Sequence, residues 1–96
     1  MMVYSVATVE VQDGCTLCEA DAYSEWDEAV NAADSFMVRC VGDFFEIDPS
    51  DLEGRRGRLE ERVYRGTSVW RGKRKLEVKY ECEGLALAAT IQEVEL

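Results

Sequence analysis

The stretch from Ala22 to Val41 constrains the fold of this chain more than any other. At 100° per residue, its apolar side chains fall on one stripe about 120° wide, and its acidic side chains fall mostly on the opposite side. Ser24 precedes the stripe as a suitable N-cap, and Gly42 follows it as a residue that can end a helix in the left-handed conformation. The pattern predicts one long helix over residues 24–41, with Ala33 buried against a sheet.

Strand patterns flank this helix on both sides. Asp13-Gly14 is a hairpin turn signal between the first two strands, and Gly72-Lys73 and Glu83-Gly84 separate later ones. The predicted strands cover residues 2–11, 15–22, 59–65, 67–71, 74–83 and 85–96, the third and fourth being weak and open to merging. The order β-β-α-β-β-β, with one extra strand where those two stay separate, predicts an α+β fold in which a single antiparallel sheet packs on one helix.

The first two strands alternate, and we expect one face of each to point toward the helix. In the first strand this face carries Val3, Ala7, Val9 and Val11. In the second strand it carries small side chains, which would let the helix lie close to the sheet: Thr16, Cys18, Ala20 and Ala22. The later strand 74–83 should turn Leu76, Val78, Tyr80 and Cys82 inward.

The connection after the helix has a weaker pattern. Residues 43–48 are expected to form a short strand or an extended segment, and residues 49–53 a single helical turn that starts at Pro49. Residues 54–58 contain no apolar side chain, so they are expected to form an exposed, mobile loop.

Length and composition indicate one soluble domain over residues 1–96. A chain of 96 residues can bury one modest core, and its 47% hydrophobic and 32% charged content is typical of a globular protein. No apolar run approaches the roughly 20 residues that span a bilayer, and no secretory leader pattern opens the chain. We therefore expect a cytoplasmic protein that does not bind membranes and whose four cysteines are reduced.

Charge is distributed unevenly, and this predicts a binding surface. Residues 1–53 hold 13 acidic residues and one base, Arg39, within a chain of net charge −9. An acidic surface of this kind favours a protein partner with a basic surface and repels nucleic acid at a distance. The predicted partner-binding residues lie along the helix and the following loop: Glu25, Asp27, Glu28, Asp34, Asp43, Glu46 and Asp48.

Residues 54–75 support an alternative, because they hold nine bases and two acids. A hairpin there would grip phosphates and stack one aromatic ring on a base. The candidate nucleic-acid-binding residues are Arg55, Arg56, Arg58, Trp70, Arg71, Lys73, Arg74 and Lys75. These bases would otherwise neutralise the protein's own acidic half, and a third hypothesis is a structural module without a dedicated ligand.

The sequence contains no catalytic motif. It lacks histidine, the commonest general base and metal ligand, and it has no glycine-rich phosphate loop between a strand and a helix. We therefore expect no enzyme activity, no cofactor and no small-molecule ligand.

Cys15-Thr-Leu-Cys18 is the one motif with metal or redox potential. Together with Cys40 and Cys82 it would make a four-thiol zinc site, and a redox role would require a helix N-terminus beside the first thiol. Because no second close cysteine pair exists and the helix begins six residues after Cys18, we favour plain thiols and no metal site.

The chain resembles a group of small proteins that phages and mobile elements encode. A strand hairpin, an alanine-rich helix opened by Ser24-Glu-Trp-Asp-Glu-Ala-Val30, and a closing antiparallel sheet are similar to the architecture of several acidic anti-CRISPR proteins. The resemblance implies a protein of a bacterial host's cytoplasm that inhibits a CRISPR-Cas nuclease complex by occupying its basic nucleic-acid channel. The basic segment over residues 54–75 departs from a pure DNA mimic.

Overall fold

A computed structural model describes residues 1–96 of the protein, which form five strands and two helices. The strands are β1 (Met2–Gln12), β2 (Cys15–Tyr23), β3 (Val63–Trp70), β4 (Lys73–Cys82) and β5 (Leu85–Glu95). The helices are α1 (Trp26–Phe44) and α2 (Leu52–Glu60), which follow each other between β2 and β3.

All five strands form one antiparallel sheet in the order β2-β1-β5-β4-β3. Tight turns join β1 to β2 and β3 to β4, and both use two residues with positive φ, Asp13-Gly14 and Arg71-Gly72. Such turns match the right-handed twist of the strands they connect. The predicted α+β class and the single sheet are confirmed, and the structure adds one helix to the predicted order.

The core lies between α1 and one face of the sheet. Ala29, Ala33 and Met37 on the helix are almost fully buried, as are Leu87 and Ile91 on the central strand β5. Ala33 is only 2% exposed, so the predicted buried stripe of the helix is confirmed. On β4, Val78 and Tyr80 are buried and Leu76 packs against the same cluster, as predicted.

The predicted inward faces of β1 and β2 are wrong. Val6 and Thr8 pair with Ile91 and Ala89 of β5, whose side chains lie in the core, and both are buried. Because strand neighbours share a face, Val3, Ala7, Val9 and Val11 point away from the helices, and so do Thr16, Cys18, Ala20 and Ala22. Both faces of β1 carry apolar residues, so local alternation could not decide which one the helix covers.

Helix α1 begins later and ends later than predicted. Glu25 holds the N-cap position without a side-chain cap, and Ser24 instead donates its hydroxyl to the Glu28 carboxylate, 3.1 Å away. The helix continues through Gly42 to Phe44. Gly42 is therefore not a left-handed terminator. It is buried, and a Cβ at that position would overlap the guanidinium of Arg55.

The segment after α1 differs most from the prediction. Residues 43–48 finish the helix and form a turn rather than a strand, and the supposed loop 54–58 lies inside α2. Asp51 caps α2 by accepting a hydrogen bond from the amide of Gly54, 2.9 Å away. The weak strand predicted from residue 59 begins only at Val63, because Leu59 is buried as part of the helix.

Candidate protein-binding surface

The first turn of α1 is anchored by an aromatic side chain. Trp26 packs edge-on against Tyr4, with ring centroids 6.0 Å apart, and the guanidinium carbon of Arg74 lies 4.2 Å from the centre of the indole ring. Glu93 accepts bonds from the main-chain amide and the side chain of Arg74, at 3.0 Å and 2.5 Å. The side-chain bond from Arg74 holds the pKa of the Glu93 carboxyl below its ordinary value. These contacts fix the junction between β2 and α1.

Exposed carboxylates occupy this junction. They lie on the second half of β2, in the connection and in the first turn of α1: Glu19, Asp21, Glu25, Asp27 and Glu28. No basic side chain comes within 4.0 Å of any of them, and residues 19–28 include no lysine or arginine. We call these five residues the acidic end of the molecule.

Sequence reasoning identified three of the five residues of the acidic end. It missed Glu19 and Asp21, because it turned the small side chains of β2 toward the helix and these two away from it. In the structure Glu19 pairs with Thr8 and Asp21 with Val6, so both lie on the helix side of the sheet. The sequence does contain a signal for all five residues, because residues 19–28 hold five acids and no base.

A groove of about 190 Å³ lies beside the acidic end, between β2 and α1. Glu19 and Asp21 line it from the strand, and Ser35, Phe36 and Arg39 line it from the helix. The guanidinium of Arg39 lies 5.9 Å from the centre of the Phe36 ring. The groove therefore offers carboxylate oxygens on its strand side, which are groups that bind cationic side chains, whereas Arg39 of the same chain already lies over the aromatic ring on its helix side.

The predicted acidic face does not form one surface. Asp34 lies 2.7 Å from Arg56 of α2, and Asp43 lies 3.2 Å from Arg55, so both carboxylates are engaged within the chain. Glu46 and Asp48 lie in the turn beyond the other end of α1. A helix of 19 residues is about 28 Å long, so these two residues are remote from the acidic end.

Asp48 has a structural role in that turn. Its carboxylate accepts hydrogen bonds from the hydroxyl and the amide of Ser50, at 2.6 Å and 2.8 Å. Both bonds favour the ionised form, and the pKa of Asp48 is lowered, chiefly by the hydroxyl. Its main-chain carbonyl also accepts a bond from Arg55, so Asp48 serves the fold at this point.

The predicted basic segment is also divided. Arg55 is 4% exposed and lies among main-chain carbonyls, which contradicts its assignment to an exposed loop. Arg56 pairs with Asp34, and Arg58 lies 3.8 Å from Glu61 and 4.5 Å from the centre of the Phe45 ring.

On the strands, Arg74 bonds to Glu93 and Lys75 lies 3.1 Å from Glu77. Of the candidate nucleic-acid-binding residues, only Trp70, Arg71 and Lys73 remain free of carboxylates, at the turn between β3 and β4, where Trp70 is 74% exposed. The bases of residues 54–75 thus largely neutralise the protein's own acids, as the competing interpretation predicted.

The side chains without an ion pair carry the whole excess of negative charge. Seven of the 20 acidic residues contact a basic group, and seven of the 11 lysines and arginines contact an acidic one. Thirteen acids and four bases are left, a difference equal to the net charge of −9. The acidic end holds five of those thirteen carboxylates within ten residues.

The cysteines do not converge on a single site. Cys15 and Cys18 both lie on strand β2 three residues apart, so their side chains point to opposite faces of the sheet. No group of three or more potential ligands is placed to hold a metal ion. Burial, with the nearby Glu10 carboxylate as a second cause, raises the pKa of the Cys40 thiol to about 11, so this buried thiol is protonated at neutral pH.

Comparison of the chain with models of known families, with curated proteins and with solved structures gave no match. Neither α1 nor α2 has the length and apolar character to cross a membrane.

Proposed function

We propose that this protein is a non-enzymatic binding protein whose acidic end docks on a basic surface of another protein. The observation that supports this is the set of five exposed, unpaired carboxylates of the acidic end, in a stretch of the chain with no base. Opposite charge steers the encounter of two proteins and sets the orientation in which they meet. Glu19 and Asp21, on the strand side of the groove, would pair with a lysine or arginine side chain of the partner.

A protein partner fits this charge distribution better than a nucleic acid does. Most bases of residues 54–75 contact the chain's own carboxylates or carbonyls, so they would have to give up these partners to bind phosphates. The net charge of −9 also repels a polyanion. The nucleic-acid hypothesis retains only the turn with Trp70, Arg71 and Lys73.

The partner we propose is a CRISPR-Cas nuclease complex in the cytoplasm of a bacterial host. The basis is the resemblance of the size, the acidity and, apart from the added helix α2, the element order to anti-CRISPR proteins of phages. A channel that holds nucleic acid is lined with basic side chains, so an acidic end that enters it would exclude the polyanion. The protein would then act as an inhibitor of the nuclease.

A cleavage assay with purified, guide-loaded nuclease complexes tests this proposal. We expect the wild-type protein to bind one of these complexes and to inhibit DNA cleavage, with weaker binding as salt is added. The variant Glu25→Lys/Asp27→Lys/Glu28→Lys should lose at least about tenfold in affinity, because it reverses the field at the contact.

The matched control reverses three other exposed, unpaired acids, Glu46→Lys/Glu53→Lys/Glu83→Lys, and so changes the net charge by the same amount. It should retain most of the affinity. Equal loss in both variants would mean that overall charge and not the acidic end is responsible, and absence of binding across type I, II and V complexes would refute the inhibitor proposal. A gel shift of DNA by the wild type, lost on Trp70→Ala/Arg71→Ser/Lys73→Ser, would favour the nucleic-acid alternative.

A further inference from the structure

The sheet has a free face, turned away from both helices, that is nearly without charge over three strands. From the register, 14 side chains of β2, β1 and β5 point to this side, and none is charged. They are Thr16, Cys18, Ala20 and Ala22 of β2, Val3, Ser5, Ala7, Val9 and Val11 of β1, and Ala86, Ala88, Thr90, Gln92 and Val94 of β5. An antiparallel sheet covered on one side ordinarily presents polar side chains on the other.

This apolar free face is unusual for the composition of the chain, 32% of which is charged. The alternation of β1 is that of a strand whose valine face is buried, yet the structure covers the opposite face with α1. Contiguous apolar surface on a soluble protein marks a site of interaction.

The neighbouring strand β4 carries the charges of the free face in a regular order. The charge alternates in sign along the free-face side chains of β4, which are Lys75, Glu77, Lys79 and Glu81. Val78, in the middle of this run, points to the other face and is buried. Glu77 lies 3.1 Å from Lys75 and 3.5 Å from Lys79, so these side chains share one face. A second copy of the same strand, antiparallel and centred on Val78, would place a lysine opposite every glutamate.

We propose that the free face binds a second copy of this chain, face to face. The two-fold axis runs parallel to the plane of the sheet and perpendicular to its strands, at the level of Val78. The axis sets β1 against β1 and β5 against β5 of the other copy, so strands whose free-face side chains are uncharged meet each other. On β4, Lys75 then faces Glu81 and Glu77 faces Lys79, each twice per dimer. An axis parallel to the strands over the middle strand β5 would instead place the valines of β1 against charged β4 at a large desolvation cost.

The area of the free face suits such a dimer. Five strands at about 4.8 Å spacing and about nine residues at 3.3 Å each give a face of roughly 700 Å². Each partner in a stable interface of standard size contributes about 800 Å². The small side chains of β5 and β2 would also let the two sheets approach to the roughly 10 Å of packed sheets. An apolar centre with a charged strand toward one rim is the ordinary anatomy of an interface.

This inference is independent of the proposed function, because the acidic end lies on the helix side of the sheet. Sedimentation equilibrium over a concentration series measures the dimer directly. We expect a dimer for the wild type, and a monomer at every concentration up to about 1 mM, where even weak specific complexes form, would overturn the proposal.

Ala88→Arg places a charge at the middle of the central strand on the free face, and we expect it to weaken the dimer by at least about tenfold. Leu17→Arg is the matched control. It also adds an arginine to an exposed apolar position, 64% exposed, but on the helix side of β2. It should leave the dimer unchanged, and equal dissociation in both variants would contradict the assigned face. Circular dichroism melts of both variants check that the fold is retained.

A charge swap on β4 tests the orientation, and it needs no change in the apolar centre. Lys75→Glu and Glu81→Lys should each weaken the dimer about fivefold, because like charges then face each other across the axis. The double variant Lys75→Glu/Glu81→Lys recreates the opposite pairs and should dimerise to within about twofold of the wild type. A double variant that is weaker than either single one would rule out this orientation.

Discussion

The two ends of helix α1 are held by different groups. At the C-terminal end, the buried guanidinium of Arg55 donates hydrogen bonds to the main-chain carbonyls of Arg39, Ile47 and Asp48, at 3.2, 2.6 and 3.2 Å, and to the carboxylate of Asp43 at 3.2 Å. At the N-terminal end no side chain caps the helix, and Trp26 provides the anchor through its contacts with Tyr4 and Arg74.

This difference distinguishes charged side chains that hold the fold together from charged side chains that are free to bind a partner. Arg55 ties the last turns of α1 to the turn that follows, because it binds the carbonyl of Arg39 in the helix and the carbonyls of Ile47 and Asp48 beyond it. The acids at the N-terminus need no partner, because the helix dipole favours them there and they remain in water. Glu25, Asp27 and Glu28, which the dipole already stabilises, stay free to bind, whereas the charges at the other end are committed to the fold.

Arg55→Met should produce the largest change in stability. It removes the four hydrogen bonds of a buried guanidinium, among them the bond to the Ile47 carbonyl, so we expect a loss of about 3–5 kcal/mol in the free energy of unfolding. Arg56→Met, on the same helix but half exposed, should cost less than about 1 kcal/mol. Urea denaturation of both variants measures the comparison, and similar losses would show that Arg55 does not hold this end.

Gly42→Ala should give the next largest effect. The new methyl group would overlap the Arg55 guanidinium, which its four bonds hold in place, so we expect a destabilisation of about 1–3 kcal/mol. Gly57→Ala is the control, since Gly57 lies in α2 with open space around it and should gain about 0.5–1 kcal/mol. Thermal melts of the pair should therefore shift in opposite directions, and a stabilised Gly42→Ala would contradict the close approach.

Arg55 and the glycines of α2 also show where sequence reasoning fails. The stripe of α1, the turn at Asp13-Gly14 and the alternation of β4 are local patterns, and each predicted its element correctly. Arg55 has no local signal of burial, because its partners come from α1 and the turn after it. The two glycines of α2 also lower its helix propensity, and packing of Leu59 overrides this.

Local patterns also explain why the sequence predicted only part of the candidate site. Glu25, Asp27 and Glu28 follow from the helix pattern, and the structure places them in the acidic end. Glu19 and Asp21 depend on which face of β2 meets the helix, and this is decided by the whole sheet and not by the strand. Pairing between Asp34 and Arg56, 22 residues apart, likewise lies beyond any local pattern.

Acidic pH should lower the stability that Glu93 contributes at the N-terminal end of α1. Its pKa is lowered in the folded protein, chiefly by the side-chain bond from Arg74, so its contribution to stability is present above the ordinary value of 4.5. That contribution is lost as the pH falls through the lower folded pKa, when the carboxyl takes up a proton. We expect Glu93→Gln to be less stable than the wild type at pH 7, with a difference that shrinks toward pH 3.

Denaturation of both proteins between pH 3 and 7 checks this expectation. Tryptophan fluorescence is a suitable probe, because Arg74 lies over Trp26. Asp48, Glu60 and Glu77 also have a lowered pKa, so both proteins lose stability with acid, and only the difference between them reports on Glu93. A constant difference across this range would show that the Arg74 contact does not depend on the carboxylate charge.

Ser24→Ala should have the smallest effect, although the sequence favours Ser24 as the helix cap. Its hydroxyl bonds to the exposed Glu28 carboxylate and not to a main-chain amide, so its removal should cost less than about 0.5 kcal/mol. Asp51→Ala removes a true cap, the bond to the Gly54 amide, and should cost about 1 kcal/mol. Because the two changes truncate cap-like side chains at the starts of α1 and α2, their ratio in urea denaturation measures how each helix begins. A loss of 1 kcal/mol or more for Ser24→Ala would mean that Ser24 caps α1 in solution and that the N-terminal end does not depend on Trp26 alone.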